Sequence, residues 1–322
     1  MPDKNTEKQL QKFVEGKEKK VEETQKENTE NKQVGAELSE APAPKFPNAR
    51  SSDQVSLGNQ VGWQKLPIGD LPTKGFFYPE GAEVAIRSAT AGEIRHWSTL
   101  QEDDISALDD MLNYILERCV SFKTKDISSS WKDIKEVDRF YILLAIREYT
   151  FVKGENNLQV KTSESSTINV TKDMIDYVNF EDNIMRFYDQ TKRCFVLKFK
   201  TGNEIETTIP NVGITNFLKN YVLRKKQQNE MFDQDFITFA PFVIKDWRGL
   251  NDDSYEKLVI DSNNWSISEI SVITHIKDLF METVNPIVRY VDEGGAELTA
   301  PLNFQGGIKS IFLISDPFGE LV

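Results

Sequence analysis

Leu71-Pro72-Thr73-Lys74-Gly75-Phe76-Phe77-Tyr78-Pro79-Glu80-Gly81, then Glu83-Val84-Ala85-Ile86-Arg87-Ser88-Ala89 and Thr90-Ala91-Gly92-Glu93, carries a stiff loop, a strand and a helix start in one run. Pro67, Pro72 and Pro79 fix φ and remove backbone donors, while Gly75 and Gly81 permit turns. Phe76, Phe77 and Tyr78 therefore sit on a rigid, non-helical loop. The trio reads either as a docking element for a partner or as cover for the domain's own core, because large aromatic side chains dominate both settings. Alternation from Glu83 to Ala89 predicts a strand with Val84 and Ile86 on one side and Ala85 and Arg87 on the other. Thr90 and Glu93 have capping-box spacing, which predicts a helix through about Leu100.

Working outward, Ile105, Leu108, Leu112, Ile115 and Leu116 recur at three- and four-residue intervals and predict a helix near Asp104 to Val120. A third helix is expected near Ile134 to Tyr149, with Val137, Phe140, Tyr141, Leu144 and Ala145 on one face. The pattern then changes. Tyr149 to Val152 and Leu158 to Val160 read as a hairpin across Gly154-Glu155-Asn156-Asn157. Cys194 to Phe199 and Glu204 to Ile209 form a clearer one, so a small inserted sheet is expected. Helices follow at Asn211 to Gln228, Glu230 to Phe239 (ending before Pro241), Tyr255 to Ile260 and Ser266 to Thr283. Phe232, Phe236, Phe239 and Phe242 make an aromatic ladder suited to core packing. Ile287 to Val291 and Leu298 to Leu302 read as a terminal hairpin, and Gly306 to Ser310 as a turn feeding a last buried strand. Phe318 and Leu321 make the C-terminus unusually apolar, and are candidate contact residues.

On the N-terminal side, residues 1–45 are dominated by Lys, Glu, Gln, Asn and Thr and bury too little to offset chain ordering. Leu10, Phe13 and Val14 form a short helical stripe within an otherwise solvated tail. Ala41-Pro42-Ala43-Pro44 and Pro47 mark an extended linker. The expected organisation is a disordered tail and linker over 1–60, a loop-strand-helical domain over 61–150, an inserted β-hairpin region over 151–210 and a helical domain with a terminal hairpin over 211–322. The fold class is α+β, a helical body with small antiparallel sheets.

Composition narrows the function classes. The 322 residues carry a net charge of −12 with 39% hydrophobic content, which favours protein partners over a nucleic-acid duplex or an anionic membrane. No run of apolar residues reaches membrane-spanning length. Cys119 and Cys194 are far apart and suggest neither a disulfide framework nor a thiolate metal site. His96 and His275 lie on amphipathic helices without ligands at metal spacing. Nucleophile-elbow, zinc-protease, Walker and dinucleotide-binding motifs are absent. Glu102-Asp103-Asp104 and Asp252-Asp253 lack the order of a calcium loop, and helix N-terminal placement accounts for both. No catalytic residue, cofactor or metal ligand is nominated.

Beyond these readings, Leu71 to Pro79, the strand Val84 to Arg87 and Thr90-Ala91-Gly92-Glu93 resemble the opening of a baseplate hub and hub assembly family of T-even-like, contractile-tailed bacteriophages. The likeness extends over about residues 65–160 through the acidic stretch, Cys119, Asp138 and Leu143 to Tyr149, with an echo at Pro301-Leu302-Asn303-Phe304. The family pattern often includes a Cys-x-x-Cys zinc knuckle; neither 150–161 nor 288–297 contains Cys. The resemblance implies a non-enzymatic structural or assembly subunit of the virion tail baseplate, present in the host cytoplasm during assembly. Its implied partners are other baseplate, hub and tail proteins and further copies of itself, with Phe76, Phe77, Tyr78, Phe318 and Leu321 as contact residues. Two alternatives stand beside it: a tail-associated cell-wall hydrolase using carboxylates, and an assembly chaperone absent from the virion.

Overall fold

The computed structural model describes residues 62–322 apart from 102, 126–127, 152–157, 164–165, 285, 293 and 314–322. The expected tail and linker over 1–60, and Phe318 and Leu321, lie outside the described residues. β1 (Trp63–Leu66) pairs antiparallel with β2 (Glu83–Arg87), whose Val84, Ala85 and Ile86 are all buried. α1 (Ala91–Trp97) follows at once, closed by the Thr90–Glu93 capping box in both directions. α2 (Ile105–Cys119) starts at Asp104, whose carboxylate accepts from Ser106 and Ala107 N–H. β3 (Val120–Lys123) then returns along β2, so the sheet order is β1-β2-β3.

The third helix begins later than its stripe suggests. Trp131–Asp133 and Glu136–Asp138 are separate 3₁₀ turns, and α3 runs Arg139–Thr150. The hairpin expected at 149–160 is corrected: Tyr149 and Thr150 close α3, with the Thr150 hydroxyl donating to the Ile146 carbonyl at 2.6 Å. The strand after the gap, β4 (Gln159–Lys161), instead pairs with β5 (Thr167–Asn169). A four-residue α4 (Asp182–Met185) leads to β6 (Tyr188–Asp189), β7 (Cys194–Lys198) and β8 (Glu204–Thr207), a separate three-stranded sheet of order β6-β7-β8. The single inserted sheet is thus two.

α5 (Val212–Gln228) is capped by the Asn211 side chain on Ile214 N–H and ends with Asn229 in the left-handed conformation that terminates helices. α6 (Gln234–Val243) begins at an Asp233 cap and passes through Pro241 rather than stopping before it. Proline removes the N–H that would reach the Ile237 carbonyl and crowds that carbonyl, but the following Phe242 ring stacks on Phe280 at 5.6 Å and holds the last turn in place. α7 (Asp252–Ser262) and α8 (Ile267–Val284) complete the helical body, and β9 (Ile287–Val291) pairs with β10 (Glu297–Pro301) as the expected hairpin. The closing segment is a 3₁₀ helix, Ile308–Phe312, rather than a strand; Gly307 at φ 70° turns the chain into it. Eight α-helices and antiparallel sheets of two or three strands among the described residues make the fold α+β.

Three apolar cores hold these elements. The first packs β2 and β3 against α1, α2 and α3 through Trp97, Ile115 and Leu143, and recruits Val212, Val288, Phe304 and Phe312 from much later in the chain. The second gathers Phe77, Phe195, Phe242 and Phe280, and the third Ile214, Tyr221, Phe236 and Tyr255. The aromatic ladder of 232–242 is divided: Phe236 serves the third core and Phe242 the second, because a helix through Pro241 turns successive rings to different neighbours.

Candidate functional site: the aromatic loop and its flanking cavities

The loop folds as a series of tight turns, with Lys74 N–H bonded to the Leu71 carbonyl at 2.7 Å, Phe76 to Thr73 at 3.1 Å and Tyr78 to Gly75 at 3.2 Å. Gly75 is required twice over. Its φ is 77°, and a Cβ there would stand 2.5 Å from the Ile68 side chain. A buried carboxylate anchors the whole loop: Asp138 accepts from Thr73 N–H at 2.9 Å, Thr73 Oγ1 at 2.8 Å and the Tyr78 hydroxyl at 2.7 Å. That hydroxyl in turn accepts the Lys135 N–H at 2.9 Å. Pro72, lacking a donor, still offers its carbonyl to Val178 N–H.

The three rings take three different places. Phe77 is buried among Phe180, Tyr188, Phe195 and Phe280, with centroids 5.9 to 6.0 Å away. Tyr78 is buried in the first core against Phe122 at 5.5 Å. Phe76 is half-buried beside Tyr188, whose hydroxyl donates to the Phe76 carbonyl. Docking through Phe77 and Tyr78 therefore has no exposed ring to act through; of the two readings of the trio, the geometry is that of a core cover. Consecutive residues entering two different cores is a feature that spacing alone does not reveal.

Burial also sets the electrostatics. It pushes the Asp138 carboxyl up to about 6, against the hydrogen bonds from Tyr78 and Thr73 and the field of Lys135. It pulls the Lys135 ammonium down to about 8, opposed by Asp138 and Asp133, and raises the Tyr78 phenol well above its usual value. Cys119, buried beside Glu93, is pushed up to about 12, which makes its thiol inert at neutral pH.

The remaining candidates have structural employment. Asp104 caps α2, and Asp252, in the first turn of α7, pairs with Arg224. Lys225 bridges Glu230 at 2.7 Å and Glu256 at 2.8 Å, so the cations ending α5 serve tertiary pairs as well as the helix dipole. His96 lies against the Tyr114 ring at 4.3 Å, and His275 is exposed on α8. Among the described residues no group of three or more His, Cys, Asp and Glu is placed to hold a metal ion, and no helix is long and apolar enough to cross a membrane.

Two concavities flank this framework. One, of about 480 Å³, opens at the foot of the loop beside Tyr78, Lys135 and Arg248. The other is a groove of about 690 Å³ whose apolar wall is Leu218, Val222, Leu223, Ile237, Phe242 and Met281, from α5, α6 and α8. The rest of its lining carries an ion-pair network in which Arg139 binds Asp109 at 2.9 Å and Glu136 at 2.7 Å, and Lys219 binds Asp110 at 2.6 Å. Leu223 and Met281 are 41% and 45% exposed. Sequence reading missed this groove, although a signal was present: Leu223 lies off the Ile214, Leu218, Tyr221 face of α5. Comparison of the chain with protein-family models, with curated proteins and with solved structures found no match.

Proposed function

We propose that this chain is a structural or assembly subunit of a contractile-tail baseplate hub, acting by packing against neighbouring proteins and making or breaking no covalent bond. The observation that carries the reading is the groove between α5, α6 and α8. A folded chain with three closed cores still exposes Leu223 and Met281 over an apolar wall, and exposed apolar surface of this kind marks association sites. The ion-paired Asp109, Glu136, Arg139 and Lys219 in the same lining fit an amphipathic helix of a neighbouring hub protein, apolar side inward and polar side toward the ion pairs. Covering what remains exposed of Leu223 and Met281, less than half of each side chain, is worth about 1 kcal/mol apiece. The sequence resemblance of residues 71–93 to hub proteins supplies the assembly context, with the virion tail as the destination.

The test is a Leu223→Asp, Met281→Lys double variant. Both positions are open to solvent, so its melting should match the parent, surface changes being worth within about ±0.5 kcal/mol. Tails assembled with it should lack the chain, read by mass spectrometry of purified particles. Incorporation at the parental level, with the fold intact, sinks the proposal.

A further inference from the structure

The concavity at the foot of the aromatic loop is unlike the rest of this acidic chain. Lys125, Lys135, Lys245 and Arg248 line it, in a protein whose net charge is −12. Three of the four already meet carboxylates, Lys245 being paired with Glu206. Asp133 holds Arg248 at 2.7 Å and accepts the Trp247 indole N–H at 2.9 Å and Ser130 N–H at 2.8 Å. Asp246 also pairs with Arg248, at 3.0 Å, and Glu80 has an 83% exposed side chain 4.0 Å from Lys125.

Lys135 is the distinctive member. It is buried, and its ammonium donates to two neutral oxygens, the Ile209 carbonyl at 2.9 Å and the Thr208 hydroxyl at 3.4 Å. An ammonium has three donors, and no carboxylate among the described residues lies in ion-pair contact with this one. Asp138 reaches it only through its field, since the carboxylate oxygens are taken by Thr73 and Tyr78. A buried cation without a contacting counter-ion is costly, and burial accordingly weakens its hold on its proton. A ligand oxygen in the cavity would supply both the missing acceptor and the missing charge.

We propose that this cavity is an oxyanion pocket, with Lys135 at its base and Lys125, Lys245 and Arg248 around it receiving a phosphate- or carboxylate-bearing group. Arg248, fixed by Asp133 and Asp246, contributes shape, while Lys135 contributes the hydrogen bond. A cavity of about 480 Å³ matches a small-molecule ligand or one acidic group of a larger one. The inference stands apart from the groove and from the hub reading.

Isothermal titration of the full chain with inorganic phosphate and, separately, with citrate tests it. The expected result is one-to-one binding of at least one probe that weakens as sodium chloride is raised; which probe binds assigns phosphate or carboxylate chemistry. Lys135→Met should weaken that binding by about tenfold or more, the share of one charge-assisted hydrogen bond. Should that variant fail to fold, the surface double variant Lys125→Gln, Lys245→Gln should weaken it about threefold with a shallower salt dependence, since both side chains are more than half exposed. Absence of heat with both probes at millimolar concentration, or parental affinity in the folded variants, overturns the proposal.

Discussion

Removing the Tyr78 hydroxyl takes one donor from Asp138 and the acceptor from the Lys135 N–H at a single stroke. Both groups are buried, so Tyr78→Phe is expected to cost about 1–3 kcal/mol, the penalty for stranding buried polar partners. Urea unfolding measures this, and a loss below about 0.5 kcal/mol would show that Thr73 alone holds the loop. Glu93 offers a second residue-level test. Burial pushes its carboxyl up, but hydrogen bonds from Arg87 and from Thr90 N–H outweigh that and hold it down at about 2. A depressed folded value means that the Arg87 pair contributes stability above the ordinary 4.5, and that this is lost as pH falls from 4.5 toward 2. Glu93→Gln should therefore be less stable than the parent at pH 7 and should converge with it near pH 2, followed by thermal melts across that range. An unchanged gap between the two proteins at both ends of the range argues against the pairing.

Gly213, in the first turn of α5, lies under the Trp247 indole, where a Cβ would stand 2.3 Å from the ring. Helix propensity favours alanine by about 1 kcal/mol, but pressing a methyl into a packed indole costs about 1–3 kcal/mol and shifts the ring. Gly213→Ala is thus expected to melt lower than the parent and to alter the Trp247 fluorescence; a higher melting temperature contradicts this packing. Such elements show what a sequence displays and what it hides. The Thr90 cap, the helices α2 and α5, and the hairpins of β7 with β8 and β9 with β10 follow from local spacing, and all are present. The β4–β5 pairing was hidden because Tyr149 and Thr150 have strand-like side chains yet complete the α3 ladder. Pro241 misled for a related reason, since tertiary stacking on Phe280 outweighs one missing hydrogen bond. The groove wall was least visible, because its residues come from three different helices, brought together only by tertiary packing.

At the scale of the molecule, one loop ties two of the three cores together. Phe77→Ala empties a site surrounded by four rings, with an expected cost of about 3–5 kcal/mol. The loss should be felt in the first core too, because Tyr78 is the next residue: the Trp97 environment there and the Phe77 nest should melt in one transition, read by near-UV dichroism and by calorimetry. Two resolved transitions would mean that the cores unfold independently. The same connection constrains how such a chain tolerates change in length. With Phe77 seated in one core and Tyr78 in the other, an extra residue between them forces either the phenol off its carboxylate or the phenyl out of its nest. Insertions and deletions should accordingly be excluded between 77 and 78, where neither ring can move without leaving its core.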